Sequence, residues 1–267
     1  MLLRRSLLIS GTIFNSDIWY NLTDREIKEI GSLDSIFFSR LFGSAKTTSK
    51  ESFYLETGEL DIETEIKSRR ILYLHNLLNR PQGQLIVTFL HSQILNPSKG
   101  DWIYQVTEDL RDFDLPMDLQ YYENISKCKA KKIIKSKARI YAFNKFTSRQ
   151  KSLSKLSKLK YDKLETQEYL IQKDITIEDK KTLFRWRTHM ERFGENFRGG
   201  RESVPCPLYG EHRDSEIMSF KCETIKRIIK IETSYKEIFC QKISKTTVDT
   251  ISKIAKFRNK QLELEKN

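Results

Sequence analysis

Glycine and proline are scarce in this chain, 10 and 5 among 267 residues. An architecture of many short strands needs frequent tight turns, and those turns draw on these two residues. Their shortage argues against an all-β fold. Cysteine is scarcer still: the four, at 128, 206, 222 and 240, are too few and too spread out for a disulfide scaffold. An intracellular, reducing setting is expected, either nuclear or cytoplasmic. No apolar run approaches the length needed to cross a bilayer; the densest, 85–90, has six residues and includes Thr88. The N-terminus sets Arg4 and Arg5 ahead of a short apolar run. Ser10, Gly11 and Thr12 interrupt it and no small-x-small cleavage site follows, which argues against a secretory signal. Motifs of catalysis are missing as well. There is no Asp-Asp dipeptide, no Gly-x-Ser-x-Gly, no Gly-Lys-Ser/Thr and no His-Glu-x-x-His, so the chain is read as non-enzymatic.

The most local absence is of acid. Residues 124–161 hold thirteen Lys or Arg and not one Asp or Glu, in a chain with 48 basic and 36 acidic residues overall. This window accounts for the whole net charge of +12, since the rest of the chain sums to about −1. Surface helices ordinarily interleave both signs. A concentrated positive field favours polyanions, with RNA or DNA the expected partner through phosphate contacts. The residues expected to carry it are Lys129, Lys131, Lys132, Lys135, Lys137, Arg139, Lys145 and Arg149. Tyr141, Phe143 and Phe146 in the same window are read either as base-stacking rings or as core anchors. The alternative occupant is an acidic protein partner or an anionic membrane surface.

Helical periodicity is present along most of the chain. Thr23 followed by Glu26 forms a capping-box pattern, and Ile27, Ile30, Leu33, Phe37 and Leu41 then recur at helical spacing up to Gly43. Further apolar series run over 62–78, 85–95 and from Trp102 to the residues before Pro116, separated by Pro- and Gly-containing breaks. In the basic window Ile133 and Ile134 recur as Ile140 and Tyr141, predicting a narrow apolar stripe on a lysine-covered helix. Residues 151–159 alternate serine, leucine and lysine and read as a mobile linker. A helix is expected over 178–190 and lysine-rich helical signals return after Lys245. The fold expected is mainly α: a helical array over 1–122, a basic helix and linker over 123–160, and a small helical module over 161–267.

That module carries a loop at 205–223 in which Cys206, His212 and Cys222 form three of the four ligands of a small zinc site. The position three after Cys206 is Tyr209, a poor zinc ligand, so the site lacks a fourth member; the counter-reading makes both cysteines small buried hydrophobes. Glu56 and the pair Arg69-Arg70 are read as helix-face ion-pair formers, with catalysis the minor alternative.

Several segments, taken in order, resemble the C-terminal region of non-LTR (LINE-type) retrotransposon polyproteins, downstream of the reverse-transcriptase core. They are Leu8-Ile9-Ser10-Gly11-Thr12-Ile13-Phe14-Asn15 leading to Trp19, Tyr54-Leu55-Glu56-Thr57-Gly58, Ser68-Arg69-Arg70 with Tyr73-Leu74, and Lys99-Gly100-Asp101-Trp102. Gln167-Glu168-Tyr169-Leu170, the run Leu183-Phe184-Arg185-Trp186-Arg187-Thr188-His189-Met190, and Asn196-Phe197 before Cys206 continue the series. The resemblance implies an RNA-directed DNA polymerase parent, a thumb- or connection-like first region and a zinc knuckle near the C-terminus. It also implies that the paired aspartates of the two-metal centre lie outside this chain. Tyr209 stands where the knuckle's second cysteine is expected, and Met218 where some relatives carry histidine. The chain is thus expected to be a non-catalytic, nucleic-acid-binding remnant of such a protein, within a ribonucleoprotein. A core supplied by another chain is the remaining alternative.

Overall fold

The computed structural model describes residues 2–45, 47–153, 156–191, 193, 206, 215–240 and 242–264. Among these residues every regular element is helical and there is no strand. No helix among them is long and apolar enough to cross a membrane. The expected helices form with bounds close to those read from the apolar series: Asp24–Phe42, Ile62–Leu78, Leu85–Leu95, Trp102–Asp112, Lys127–Ser152, Ile177–Arg187 and Lys245–Leu264. Local chemistry fixes several ends. At the first, the Thr23 backbone N–H donates to the Glu26 carboxylate at 2.8 Å, and the Glu26 N–H donates to the Thr23 hydroxyl at 3.3 Å. Gly43 closes that helix at φ +60°. Asp61 and Thr176 cap the helices they precede through the amides of Thr64 and Asp179.

Two compact units form. One comprises Met1–Phe37 and Glu59–Thr147; the other comprises Phe38–Gly58 and Ser148–Asn267. They cut across the three segments read from the sequence, because 38–58 belongs with the C-terminal residues and most of the basic helix with the N-terminal ones.

In the first unit the helix Ile62–Leu78 is central, touching the helices Leu85–Leu95, Trp102–Asp112 and Gln120–Glu123. Ile71, Leu74, Val106 and Leu110 are buried there, and Ile9, Ile13, Ile62 and Ile66 form an apolar cluster. Arg4 is fully buried. Its guanidinium donates to both oxygens of Asp34 at 2.8 and 2.6 Å and to the Leu60 carbonyl at 2.7 Å. This pairing explains a departure from the expected stripe on the helix Asp24–Phe42. Asp34 is buried and Leu33 exposed, because a bidentate ion pair occupies the inward face there; further along, Phe38 and Phe42 are buried and Leu41 is exposed.

In the second unit the helices Ile177–Arg187 and Lys245–Leu264 pack on each other. Trp186 lies in the core, edge-on to Phe193 and Phe220. Phe184 stacks on Phe42 and Phe53. The expected mobile linker is corrected here. Leu156 and Leu159 are only 3% and 4% exposed and belong to this core, and their carbonyls accept hydrogen bonds from the Gln150 amide at 2.6 and 2.9 Å. Serine and lysine dominate the composition of 151–159, but two leucines three apart suffice to anchor a turn.

Candidate nucleic-acid interface on the basic helix

The helix Lys127–Ser152 buries a row of residues spaced four apart: Ala130, Ile134, Ala138, Ala142, Phe146 and Gln150. Positions four apart lie above one another on a helix, so the row is a continuous stripe. The expected stripe is corrected in part: Ile134 is inside, but Ile140 is 53% exposed, opposite the buried row. The alanines carry the contact instead, allowing close approach to the rest of the unit. A pattern search for large apolar residues passes over them.

The basic residues then sort onto three faces. One flank holds Lys129, Ile133, Lys137, Tyr141, Lys145 and Arg149. Three of its cations meet carboxylates: Lys137 bonds Asp114 at 2.6 Å, Lys145 bonds Asp61 and Glu63 (the latter at 2.7 Å), and Arg149 approaches Glu51 at 3.5 Å. Lys145 is half-buried, 14% exposed in its side chain. Burial pushes the Glu63 carboxyl up, but the Lys145 and Lys67 ammonium groups outweigh it and hold its pKa at about 2. Burial likewise opposes the Lys145 charge, and the two carboxylates more than offset this and raise its pKa. Asp114 is itself almost wholly exposed, so the Lys137 pair is a weak, solvent-screened contact.

The opposite flank holds Lys127, Lys131, Lys135 and Arg139, again four apart. Lys127, Lys131 and Lys135 are exposed and Arg139 is half-buried. Lys132 stands on the outward face, and Lys129 sits exposed at the start of the first flank. Among the described residues no carboxylate pairs with Lys127, Lys129, Lys131, Lys132 or Lys135. The structure therefore divides the eight residues expected to bind nucleic acid, with Arg139 half-buried and in neither of the two main groups. Lys129, Lys131, Lys132 and Lys135 remain presented to solvent without a counter-charge. Lys137, Lys145 and Arg149 are engaged by acids of their own unit. Lys127 joins the exposed group; its signal in the sequence is its position four residues before Lys131.

Two rings of this helix, Phe146 and Tyr141, pack into the unit. Phe146 is 2% exposed, and Tyr141 lies half-buried with its ring 5.3 Å from Phe113 and its hydroxyl 3.4 Å from Lys67. Phe143 is half-buried one turn beyond Arg139.

The other candidate groups are placed differently from expectation. Arg70 does not pair with Glu56. Its guanidinium bonds both oxygens of Asp109 at 2.7 and 2.9 Å and the Trp19 carbonyl at 3.0 Å, all inside the first unit. Arg69 donates to the Ile13 carbonyl at 2.7 Å. Glu56 is buried in the second unit, where its carboxylate accepts from Tyr161 at 2.5 Å, Tyr169 at 2.8 Å and Arg187 Nε at 2.7 Å. The expected helix-face pairing is thus replaced by two buried networks with partners far along the chain. Burial pushes the Tyr161 and Tyr169 phenols well above their ordinary range, and the Glu56 charge adds to it. Arg187 also donates to the carbonyls of Ile238 and Cys240, the latter at 2.9 Å. With three donors, Tyr161, Tyr169 and Arg187, on its two oxygens, this buried carboxylate is a strut.

Of the expected zinc ligands, Cys206 is half-buried, Cys222 is buried in the core with Phe220 and Ile225, and His212 and Tyr209 lie outside the described residues. Among the described residues no group of three or more His, Cys, Asp or Glu is placed to hold a metal ion.

No protein-family model matches the chain, and neither a curated protein nor a solved structure matches it.

Proposed function

We propose that this chain binds RNA or DNA without catalysing a reaction on it, gripping phosphates with the exposed lysines of the helix Lys127–Ser152. The observation that carries this reading is the group Lys127, Lys129, Lys131, Lys132 and Lys135, displayed on one helix with no carboxylate partner among the described residues. Holding like charges this close is unfavourable unless an anion compensates them. Asp61, Glu63 and Asp114 of the same unit pair with Lys145 and Lys137 on the opposite flank. The absence of catalytic motifs from the sequence supports a binding role.

We further propose that the chain derives from the post-polymerase region of a LINE-type retrotransposon protein and acts in an intracellular ribonucleoprotein. The support is the order of the resembling segments along nearly the full chain. A polymerase core encoded immediately upstream, in frame or frame-shifted, would be expected in the genome.

The test of binding is fluorescence anisotropy with labelled RNA and DNA at increasing salt. Each neutralised phosphate releases counterions, so affinity is expected to fall steeply between 50 and 200 mM salt. Replacing Lys127, Lys131, Lys132 and Lys135 together by Gln is expected to remove most of it. If nucleic acids fail to bind at low salt while anionic vesicles or an acidic peptide do, the partner is of the other class and the reading is wrong.

A further inference from the structure

We infer that the exposed apolar face of the helix Leu85–Leu95 is an interface between two copies of this chain, paired antiparallel about the middle of that helix. The inference is independent of the nucleic-acid reading above. Only Val87 and Leu90 of the eleven residues in this helix are buried. Leu85, Phe89 and Leu95 are 72%, 59% and 77% exposed. A helix this short draws most of its stability from a packed face, and here the packed face is small. Beside it, Ile86 and Phe89 line an apolar cavity of about 330 Å³ with Ile18, Tyr20, Tyr73 and Trp102. The loop that supplies Ile18 and Tyr20 is fixed in place. Its Asp17 carbonyl accepts from the Trp102 indole at 2.9 Å, its Trp19 carbonyl accepts from Arg70 at 3.0 Å, and its Asn21 donates to the Gly100 carbonyl at 3.3 Å. Ile18 and Tyr20 are nevertheless 51% and 50% exposed. Apolar side chains held out to water on a fixed backbone make a preformed contact surface.

Charge decides what covers it. The helix Leu85–Leu95 has no Asp, Glu, Lys or Arg, and among the described residues no charged side chain lines the cavity. In a two-fold contact each group near the axis meets its own copy. A charge there repels itself, whereas a face without charge pairs freely. A different protein is selected by complementary charge, and this face has none to offer. A helix that lies on an anionic membrane carries Lys or Arg along its polar side, and this one carries neither. The residue order also suits antiparallel self-pairing about the midpoint. Leu85 of one copy then faces Leu95 of the other, and Thr88 faces Ser92. At about 100° per residue Leu85, Phe89 and Ser92 lie within about 60° of one another, with Thr88 and Leu95 to one side of them and the cavity to the other. The exposed parts of Ile18, Tyr20, Leu85, Ile86, Phe89 and Leu95 come to roughly 600 Å² per copy, at the upper end for a patch on an ordinary monomer and below the roughly 800 Å² per partner of a standard interface. That area suits a reversible dimer.

The experiment is sedimentation velocity on the full chain, freed of nucleic acid, from about 2 to about 200 µM protein in about 300 mM salt, where phosphate-bridged contacts are weak. The mass is expected to rise with concentration from that of the 31.7 kDa chain towards twice that value. Phe89→Ala should weaken the dimer at least tenfold, as loss of a central ring does in an interface. Ser92 is exposed near the middle of the helix, so a charge placed there leaves the core untouched. Ser92→Lys and Ser92→Glu, each with an unchanged circular-dichroism spectrum, are expected to stay monomeric because each brings its new charge against its own copy. An equimolar mixture of the two is expected to regain the dimer, since opposite charges then meet across the axis. A parent chain that stays monomeric at the highest concentration overturns the inference. If that monomer binds phosphatidylserine vesicles and Phe89→Ala does not, the face belongs to a membrane. A dimer that survives both Ser92 variants forms elsewhere and also overturns the inference. A mixture that remains monomeric overturns the antiparallel two-fold pairing.

Discussion

Replacing Glu56 by Gln is the sharpest test of how the second unit is held together. The substitution keeps the shape of the side chain but removes its charge and one of its two acceptor oxygens. In the native unit that carboxylate receives three hydrogen bonds, from Tyr161, Tyr169 and Arg187, and both members of the ion pair are 0% exposed. After the change the Arg187 guanidinium is left buried without a counter-charge, with only neutral oxygens, the Gln carbonyl and the carbonyls of Ile238 and Cys240, to satisfy it. Removing one partner of a buried pair costs about 3–5 kcal/mol, because the remaining charge stays desolvated. A typical domain has about 5–15 kcal/mol in total, so roughly a fifth or more of the stability is at stake. Urea denaturation followed by circular dichroism gives the global value. Hydrogen exchange at the amides of 182–188 reports on this unit in particular. The double variant Glu56→Gln with Arg187→Met removes both charges and is expected to be markedly less destabilised than the sum of the single changes. A loss below about 1 kcal/mol for Glu56→Gln, with exchange at 182–188 unchanged, would refute the reasoning.

Gly58→Ala should be costly for two reasons that add. The residue sits at φ +66°, and a Cβ there would lie 2.4 Å from the backbone of Glu165 and Thr166, so a loss of about 2–5 kcal/mol is expected in thermal unfolding. On the basic helix the two flanks should separate cleanly. Lys145→Gln is expected to cost stability, by about 1–3 kcal/mol in urea, with little effect on nucleic-acid affinity. Lys131→Gln is expected to stay within about 0.5 kcal/mol of the parent while weakening binding. Glu63 gives a pH signature. Its folded pKa of about 2 lies below the value in an unfolded chain, so its contribution is fully present above about pH 4.5 and is lost as pH falls towards 2. Glu63→Gln should therefore flatten the stability–pH curve in that window, read by urea midpoints at pH 5, 4, 3 and 2.5.

The sequence by itself determined that this chain is helical and where most helices begin and end. Those properties are local: a Thr23–Glu26 capping box, a Gly43 stop and apolar residues every three or four positions act within a turn or two. It also determined that the positive charge is confined to one window, since charge is a property of composition. What it did not reveal is which lysines of that window remain without a counter-charge. That depends on Asp61, Glu63 and Asp114, which lie 84, 82 and 23 residues from the lysines they meet. The same limit applies to the buried arginines. Nothing local in the sequence marks Arg4, Arg70 or Arg187 as buried, yet each finds a carboxylate at least 30 positions away. A charge can be buried only where its partner is brought alongside it, and tertiary packing alone decides that.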